Sequence, residues 1–216
     1  DVVLYYKPNI PIAIIEVKKN SLAIGAGMQQ VLNYGAILDI PVVFSTNGDG
    51  FIEHDRSGYS KNIETQYSLD NFPTPQQLWT KYLYYKGIKT PEAAKIAEFN
   101  YFFDPAGRKP RYYQEIAINR SVEAIANGQN RLLLVMATGT GKTYTAFQII
   151  YRLWKNGIKK RVLFLADRNA LLEQAQTGDF KHFKEKMTMI RHKEIDKAYE
   201  IYLALYQGLT NYSLFW

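Results

Sequence analysis

Residues 137–143 read Ala-Thr-Gly-Thr-Gly-Lys-Thr, a spacing that meets the needs of a bound triphosphate one residue at a time. Glycines at 139 and 141 let backbone N–H groups turn inward around a β-phosphate with no Cβ in the way. Lys142 is placed to reach the β- and γ-phosphates, and the Thr143 hydroxyl to ligate Mg²⁺, while Thr138 and Thr140 complete the loop. A helix opening at Lys142 adds N-terminal amides and an aligned dipole, both favourable to an anion. Met136 stands where the general pattern has its first glycine. In isolation such a stretch is also compatible with a flexible glycine turn, so the flanking elements decide. An apolar run, Arg131 to Met136, precedes it and a helical pattern follows directly.

A second group of residues lies near the start of the chain. On a strand, Glu16 and Lys18 point to one face and Val17 to the other. Asp1 opens the preceding strand, and it falls beside Glu16 if the two strands pair. Two carboxylates at that distance make a hard-oxygen site for Mg²⁺, with Lys18 able to orient or help activate an attacking water. A solvated Glu-x-Lys ion pair is the competing reading. Against it stands the apolar run Ile12 to Ile15, which makes the strand a buried one where charges are costly unless they serve something. The next helix also carries Gln30 and Tyr34 one turn apart on one face.

The elements that must position these residues follow from periodicity and turn chemistry. Val2 to Tyr6 and Ile12 to Val17 read as a hairpin across Pro8-Asn9-Ile10-Pro11. Apolar residues from Ile24 to Leu38 recur at helical steps and stop near Asp39. Pro41 to Ser45 reads as a buried strand, Asn47-Gly48-Asp49-Gly50 as a turn, and Phe51 to Glu53 as the returning strand. The polar stretch from Asp55 to Thr74 is expected to be a loop that closes a first domain, residues 1–75. Residues 76–110 form a helical connector broken at Gly87 and Pro91. A second domain, 111–216, starts with a helix from Tyr112 to Asn127. A strand over 131–136, the glycine loop, a helix from Lys142 to Asn156 and a strand over 162–166 then make a βαβ unit, with a further strand over 201–206. The predicted fold class is therefore α/β.

Composition narrows the partners. Lys and Arg outnumber Asp and Glu by 27 to 20, a net charge of +7 that suits a polyanion and equally suits solubility. There is no cysteine, hence neither disulfide nor thiolate metal site, as expected of a reducing cytoplasm. Apolar runs such as Ile10 to Ile15 fall far short of the roughly 20 residues that span a bilayer, so no membrane partner is expected. The first residue is Asp, with no signal-like region behind it, which reads as an edge within a longer protein.

Several of these segments resemble known families. Arg111-Tyr112-Tyr113-Gln114 resembles the glutamine motif of superfamily 2 helicases, which implies that Gln114 reads an adenine edge with Arg111 assisting. Leu165-Ala166-Asp167-Arg168 resembles the next helicase motif and implies a DNA-phosphate contact for Arg168, with a solvated charge as the alternative. Asp1, Glu16 and Lys18 resemble the PD-(D/E)xK nuclease core. Gln30-x-x-x-Tyr34 resembles the motif that supports that core in RecB-like nucleases and in type I restriction R subunits. Together with Ser45 to Gly50, these motifs occur in the order found in type I restriction R subunits.

That resemblance implies a PD-(D/E)xK restriction-endonuclease-like domain followed by part of a RecA-like parallel-sheet phosphate-loop ATPase lobe. It implies ATP and Mg²⁺ as cofactors, double-stranded DNA as substrate, and methyltransferase and specificity subunits as partners. A stand-alone repair helicase-nuclease, or a DNA-clamping module with a vestigial nuclease face, is the alternative. No Asp-Glu-x-His occurs. The 216 residues alone are therefore expected to bind ATP weakly and neither to translocate nor to cut efficiently.

Overall fold

The computed structural model describes residues 1–190 and 195–209. It divides into two compact units, Asp1–Leu134 and a second from Val135 onward. No helix among the described residues is long and apolar enough to cross a membrane.

The first unit is built on a five-stranded sheet in the order β1-β2-β3-β4-β5, from Val2–Lys7, Ile10–Val17, Val42–Thr46, Phe51–Asp55 and Glu64–Tyr67. β1 and β2 form the expected antiparallel hairpin, turning at Asn9 in the left-handed region (φ 64°). Every residue of β3 is buried, in keeping with its central place between parallel β2 and antiparallel β4. Strand alternation gives the sheet two distinct faces. On one, helix α1 (Met28–Leu38) lays Val31 against Ile14 and Val43. A 3-10 turn, Ile24–Gly27, leads into α1, and Asp39 ends it in the left-handed conformation (φ 58°). The other face carries Phe44, Phe51 and Phe72 in ring contact.

Two short elements, β5 and a 3-10 turn at Leu69–Asn71, depart from the expected loop after Asp55. β5 adds an edge strand over Glu64–Tyr67, whose short polar sequence carries little apolar alternation. α2 starts at Pro75, capped by Thr74, which accepts from the Gln77 N–H while Gln77 Oε1 accepts from Thr74. α2 (Pro75–Tyr85), α3 (Pro91–Ala97) and α4 (Tyr112–Ala126) all lie in the first unit. Gly87, with φ 67°, closes α2, and Pro91 opens α3.

The second unit holds α5 (Lys142–Lys155), α6 (Asn169–Thr177) and a parallel sheet ordered β6-β8-β7, from Val162–Ala166, Ile201–Leu205 and Met187–Met189. The short helix α7 (Tyr206–Leu209) starts where the strand predicted to reach Tyr206 ends. Phe147 on α5 touches the rings of Phe180 and Phe183, and Phe180 touches Phe164 of β6.

The strand expected over 131–136 is not formed. Residues 130–136 have no regular structure, and Leu133 and Val135 are 87% and 88% exposed. A strand exists only as part of a hydrogen-bonded ladder, and among the described residues no strand pairs with this run. Its apolar character was read correctly, but the predicted βαβ unit loses its first strand.

Candidate functional site

β2 and α1 meet at Glu16. The first unit folds so that the start of α1 presses on this residue: a Cβ on Gly27 would lie 2.5 Å from Glu16 Cγ, so glycine alone allows the approach. The Gly27 N–H donates to Ser45 Oγ (3.1 Å), and that hydroxyl donates to Ile24 O (2.6 Å), fixing the turn over the parallel β2–β3 pair.

Glu16 is 2% exposed. The Lys18 ammonium donates to Glu16 Oε1 at 2.6 Å and to Gln30 Oε1 at 2.8 Å, and Gln30 Nε2 donates to the Tyr34 hydroxyl at 2.8 Å. Four residues named from sequence are thus one hydrogen-bonded chain running from β2 to α1. The hairpin register pairs Val2 with Ile15, so one further step sets the exposed Asp1 opposite Glu16 at the sheet edge. Glu16 Oε2 is buried with no hydrogen-bond partner. A buried carboxylate oxygen lacking a donor is costly in water-free surroundings and answers to a cation. The donor set fits Mg²⁺, which takes one or two carboxylates and completes its shell with water and phosphate oxygens. Among the described residues no group of three or more His, Cys, Asp or Glu gathers for a metal.

Sequence reasoning gave the Asn47–Gly50 turn a place but no work. In the fold, Asn20 Nδ2 donates to Asp49 Oδ1 at 2.7 Å, and Asn47 Nδ2 donates to Leu22 O at 2.8 Å and Asp49 Oδ2 at 3.1 Å. The Lys18 N–H donates to Thr46 O at 2.8 Å. The turn therefore clamps the segment that follows Lys18.

A second acid and lysine cluster was missed altogether. Glu53 and Asp55, on the opposite sheet face from Glu16, both bond Lys81 of α2, Asp55 at 3.3 Å. Glu53 is fully buried, its Oε2 without a hydrogen-bond partner, and Asp55 and Lys81 are nearly so. Burial pushes the Glu53 carboxyl above its usual range and outweighs Lys81. Asp55 feels the same desolvation, yet Ser57 and Ser60 donate to it and leave it below its usual value. Burial favours the neutral amine of Lys81, but Glu53 and Asp55 prevail and hold it above the usual lysine value. The available signal was the i, i+2 acid pair on a strand, and its lysine lies 28 residues downstream on a helix.

In the second unit the glycine loop leads into α5 with Gly139 and Gly141 at φ 80° and 83°. Gly141 is the N-cap of α5, so the first amides of that helix start beside the loop. The Lys142 ammonium lies over the loop and donates to Met136 O and Ala137 O, each at 3.3 Å, while Thr140 Oγ1 donates to Ala137 O at 2.6 Å. Lys142 is exposed, Thr143 half-buried, and Thr138 exposed. The loop fits a triphosphate in donor type: its lysine is held by weak neutral carbonyl partners that a phosphate would outcompete.

Gln114 is 5% exposed, and its Oε1 accepts from the Arg111 N–H at 2.9 Å, capping α4. Arg111 Nη1 donates to the Tyr113 hydroxyl at 3.2 Å. Both residues belong to the first unit and the glycine loop to the second. Arg168 stands at the N-cap of α6, its side chain 80% exposed and only 3.8 Å from Asp167.

The chain matches the family model described as "Type III restriction enzyme, res subunit" over residues 108–213. It is 54% identical over 211 residues to the type I restriction enzyme EcoAI endonuclease subunit of Escherichia coli, covering 97% of this chain and 26% of that protein. To the EcoKI endonuclease subunit of E. coli strain K12 it is 54% identical over 65 residues, 30% of this chain and 6% of that one. A solved fragment described as an HsdR subunit of a type I restriction enzyme from Vibrio vulnificus YJ016 superposes with a TM-score of 0.77 at 37% identity, over 96% of this chain and 37% of that one. The chain thus spans about a quarter of the length of its EcoAI relative. Along nearly its whole length this chain is similar to part of one such subunit, and it shares the fold of a fragment of another, so the chain is similar to part of the endonuclease (HsdR) subunit of type I restriction enzymes.

Proposed function

We propose that this chain is the junction of a PD-(D/E)xK nuclease domain and the first RecA-like lobe of a superfamily 2 DNA translocase, acting within a type I restriction complex. The observation that carries the nuclease reading is the hydrogen-bonded run from Glu16 through Lys18 and Gln30 to Tyr34, ending in a buried carboxylate oxygen without a donor. Asp1 and Glu16 would hold Mg²⁺, which when bound stabilises charge on the scissile phosphate and lowers the pKa of water. Lys18 holds one proton of its ammonium toward Glu16 and another toward Gln30, which leaves the third to orient the attacking water or meet a phosphate oxygen. Gln30 and Tyr34 position Lys18.

The motor reading rests on residues 137–143. Lys142, now on the Met136 and Ala137 carbonyls, would hold the β- and γ-phosphates of ATP, Thr143 would hold the accompanying Mg²⁺, and the α5 amides would offset the remaining phosphate charge. Gln114 and Arg111 remain our adenine-reading candidates, and Arg168 a phosphate contact. The domain division we propose is 1–75 for nuclease, 76–110 for connector and 111–216 for motor. Methyltransferase and specificity subunits would supply the DNA site, in the cytoplasm.

In the full-length protein, Glu16→Ala or Lys18→Ala should abolish DNA cleavage with ATPase retained, and unchanged cutting overturns the nuclease assignment. Lys142→Ala should remove the ATP-dependent movement, and surviving translocation overturns the motor assignment.

A further inference from the structure

The sheet edge away from β5 is β1, and beside it lies a cleft of about 810 Å³. One wall is Tyr5, Tyr6, Lys7 and the hairpin turn, and the other is the segment from Phe102 to Tyr112. Lys7, Arg108 and Lys109 line it together with Asp104 and Glu115. Asp104 is turned into its own loop, where its Oδ1 accepts the Ala106 N–H at 2.9 Å. Lys7 pairs with Glu98 at 3.2 Å, while Lys109 has no ion pair among the described residues. Phe103 is 79% exposed at the rim.

Exposed aromatic faces interleaved with cations suit a nucleic-acid strand. Bases stack on rings whatever their identity, and the backbone phosphates meet lysine and arginine. A folded protein partner would instead be expected to cover a broader apolar surface. We propose that this cleft binds a single strand of DNA, a base lying on Phe103 and the phosphates meeting Lys7, Arg108 and Lys109. The inference deepens the nuclease reading by placing the strand. β1 runs from Asp1, opposite Glu16, to Lys7 at the cleft, six residue steps or about 20 Å at roughly 3.3 Å each. That distance corresponds to about six nucleotides of a B-form strand at roughly 3.4 Å per step. The cleft would hold the strand that far from the phosphate being cut.

The experiment uses the 216-residue chain and a bromodeoxyuridine-substituted oligothymidylate of about 12 nucleotides. Ultraviolet cross-linking is expected on the peptide spanning 102–112. Phe103→Ala should weaken anisotropy-measured affinity by roughly tenfold. Lys109→Ala should lower the slope of log affinity against log salt by about 0.7. Both side chains are exposed, and matching thermal melts establish that the variants fold. Cross-links confined to other peptides, or an unchanged affinity for Phe103→Ala, overturn the proposal. So does Mg-ATP occupying the cleft while the oligonucleotide leaves 102–112 unlabelled, since the site would then serve a free nucleotide. Glu16→Ala separates the two readings: it should cross-link like the parent while the full-length protein carrying it fails to cut. Cutting by that variant removes the nuclease reading and leaves the cleft standing.

Discussion

The five-stranded sheet carries an acid and lysine cluster on each face, and the two are built to opposite ends. At Glu16 the lysine comes two residues on, just past the end of β2, reaches solvent, and passes its bonds along to Gln30 and Tyr34. At Glu53 the lysine comes from a helix, is 8% exposed, and is shared with Asp55, which Ser57 and Ser60 further satisfy, while Glu53 Oε2, like Glu16 Oε2, is buried without a hydrogen-bond partner. Both arrangements leave one carboxylate oxygen without a partner, but only the first sets beside it a lysine that solvent reaches, and so retains the means to bind a ligand. The second keeps its lysine from water and braces α2 to the sheet. The chemical groups are the same. What differs is how many partners surround them and whether water reaches the lysine.

The largest test of this contrast is thermal. Glu53→Ala leaves Lys81 to Asp55 in a dry site and should destabilise the chain by about 3 kcal/mol, a fall in melting temperature of roughly 10 °C. Glu16→Ala removes an unsatisfied oxygen and leaves Lys18 solvated, so its effect should stay within about 1 kcal/mol. Equal losses in the two variants would erase the distinction.

Metal binding comes next. Mn²⁺ in place of Mg²⁺ should raise the melting temperature of the parent, and Glu16→Ala should abolish that rise while Asp55→Asn keeps it. A rise that survives Glu16→Ala puts the ion elsewhere.

Acid then tests the brace. Asp55 is held below its ordinary value by Ser57 and Ser60 against the pull of burial, so its contribution is present above about pH 3.8 and fades as pH falls below that. Asp55→Asn should flatten the acid limb of a stability profile, and an unchanged limb would deny the brace. Glu115, outside both clusters, has the opposite sign. Burial pushes it from 4.5 up to about 7, so the stability of its neutral form is full below pH 4.5 and is lost as pH rises through about 7. It faces Tyr5, Asp39, Tyr82, Lys86 and Tyr112 in one cavity and Lys7, Asp104, Arg108 and Lys109 in the next. Glu115→Gln should therefore gain on the parent between pH 5 and 8 in melts. A constant difference across that range would show that Glu115 does not titrate there.

The smallest effect expected is at Arg168, whose 80% exposed side chain predicts less than about 0.5 kcal/mol on changing to Ala.

Sequence and fold agree where local rules suffice. The β1–β2 hairpin, α1 ending at Asp39, the β3–β4 turn, α4 and α5 were all legible, because period and turn chemistry act over a few residues. Glu16, Lys18, Gln30 and Tyr34 were legible as a group because one strand and the helix after it hold all four. β5 was not, since Glu64–Tyr67 is half polar and becomes a strand by pairing with β4. Residues 131–136 erred the other way: an apolar run without a ladder is not a strand.

The sequence by itself determined the chemistry available: a glycine loop with Lys142 and Thr143, and a strand bearing an acid and a lysine on one face. Only the tertiary structure decided that Glu16 bonds a lysine open to solvent while Glu53 bonds a buried one, that Gln114 caps its own helix, and that Lys142 rests on two carbonyls. The reason is physical. Residue type and local period fix what a side chain is able to do and which way it points, whereas desolvation and partner count depend on segments that meet only in the folded chain.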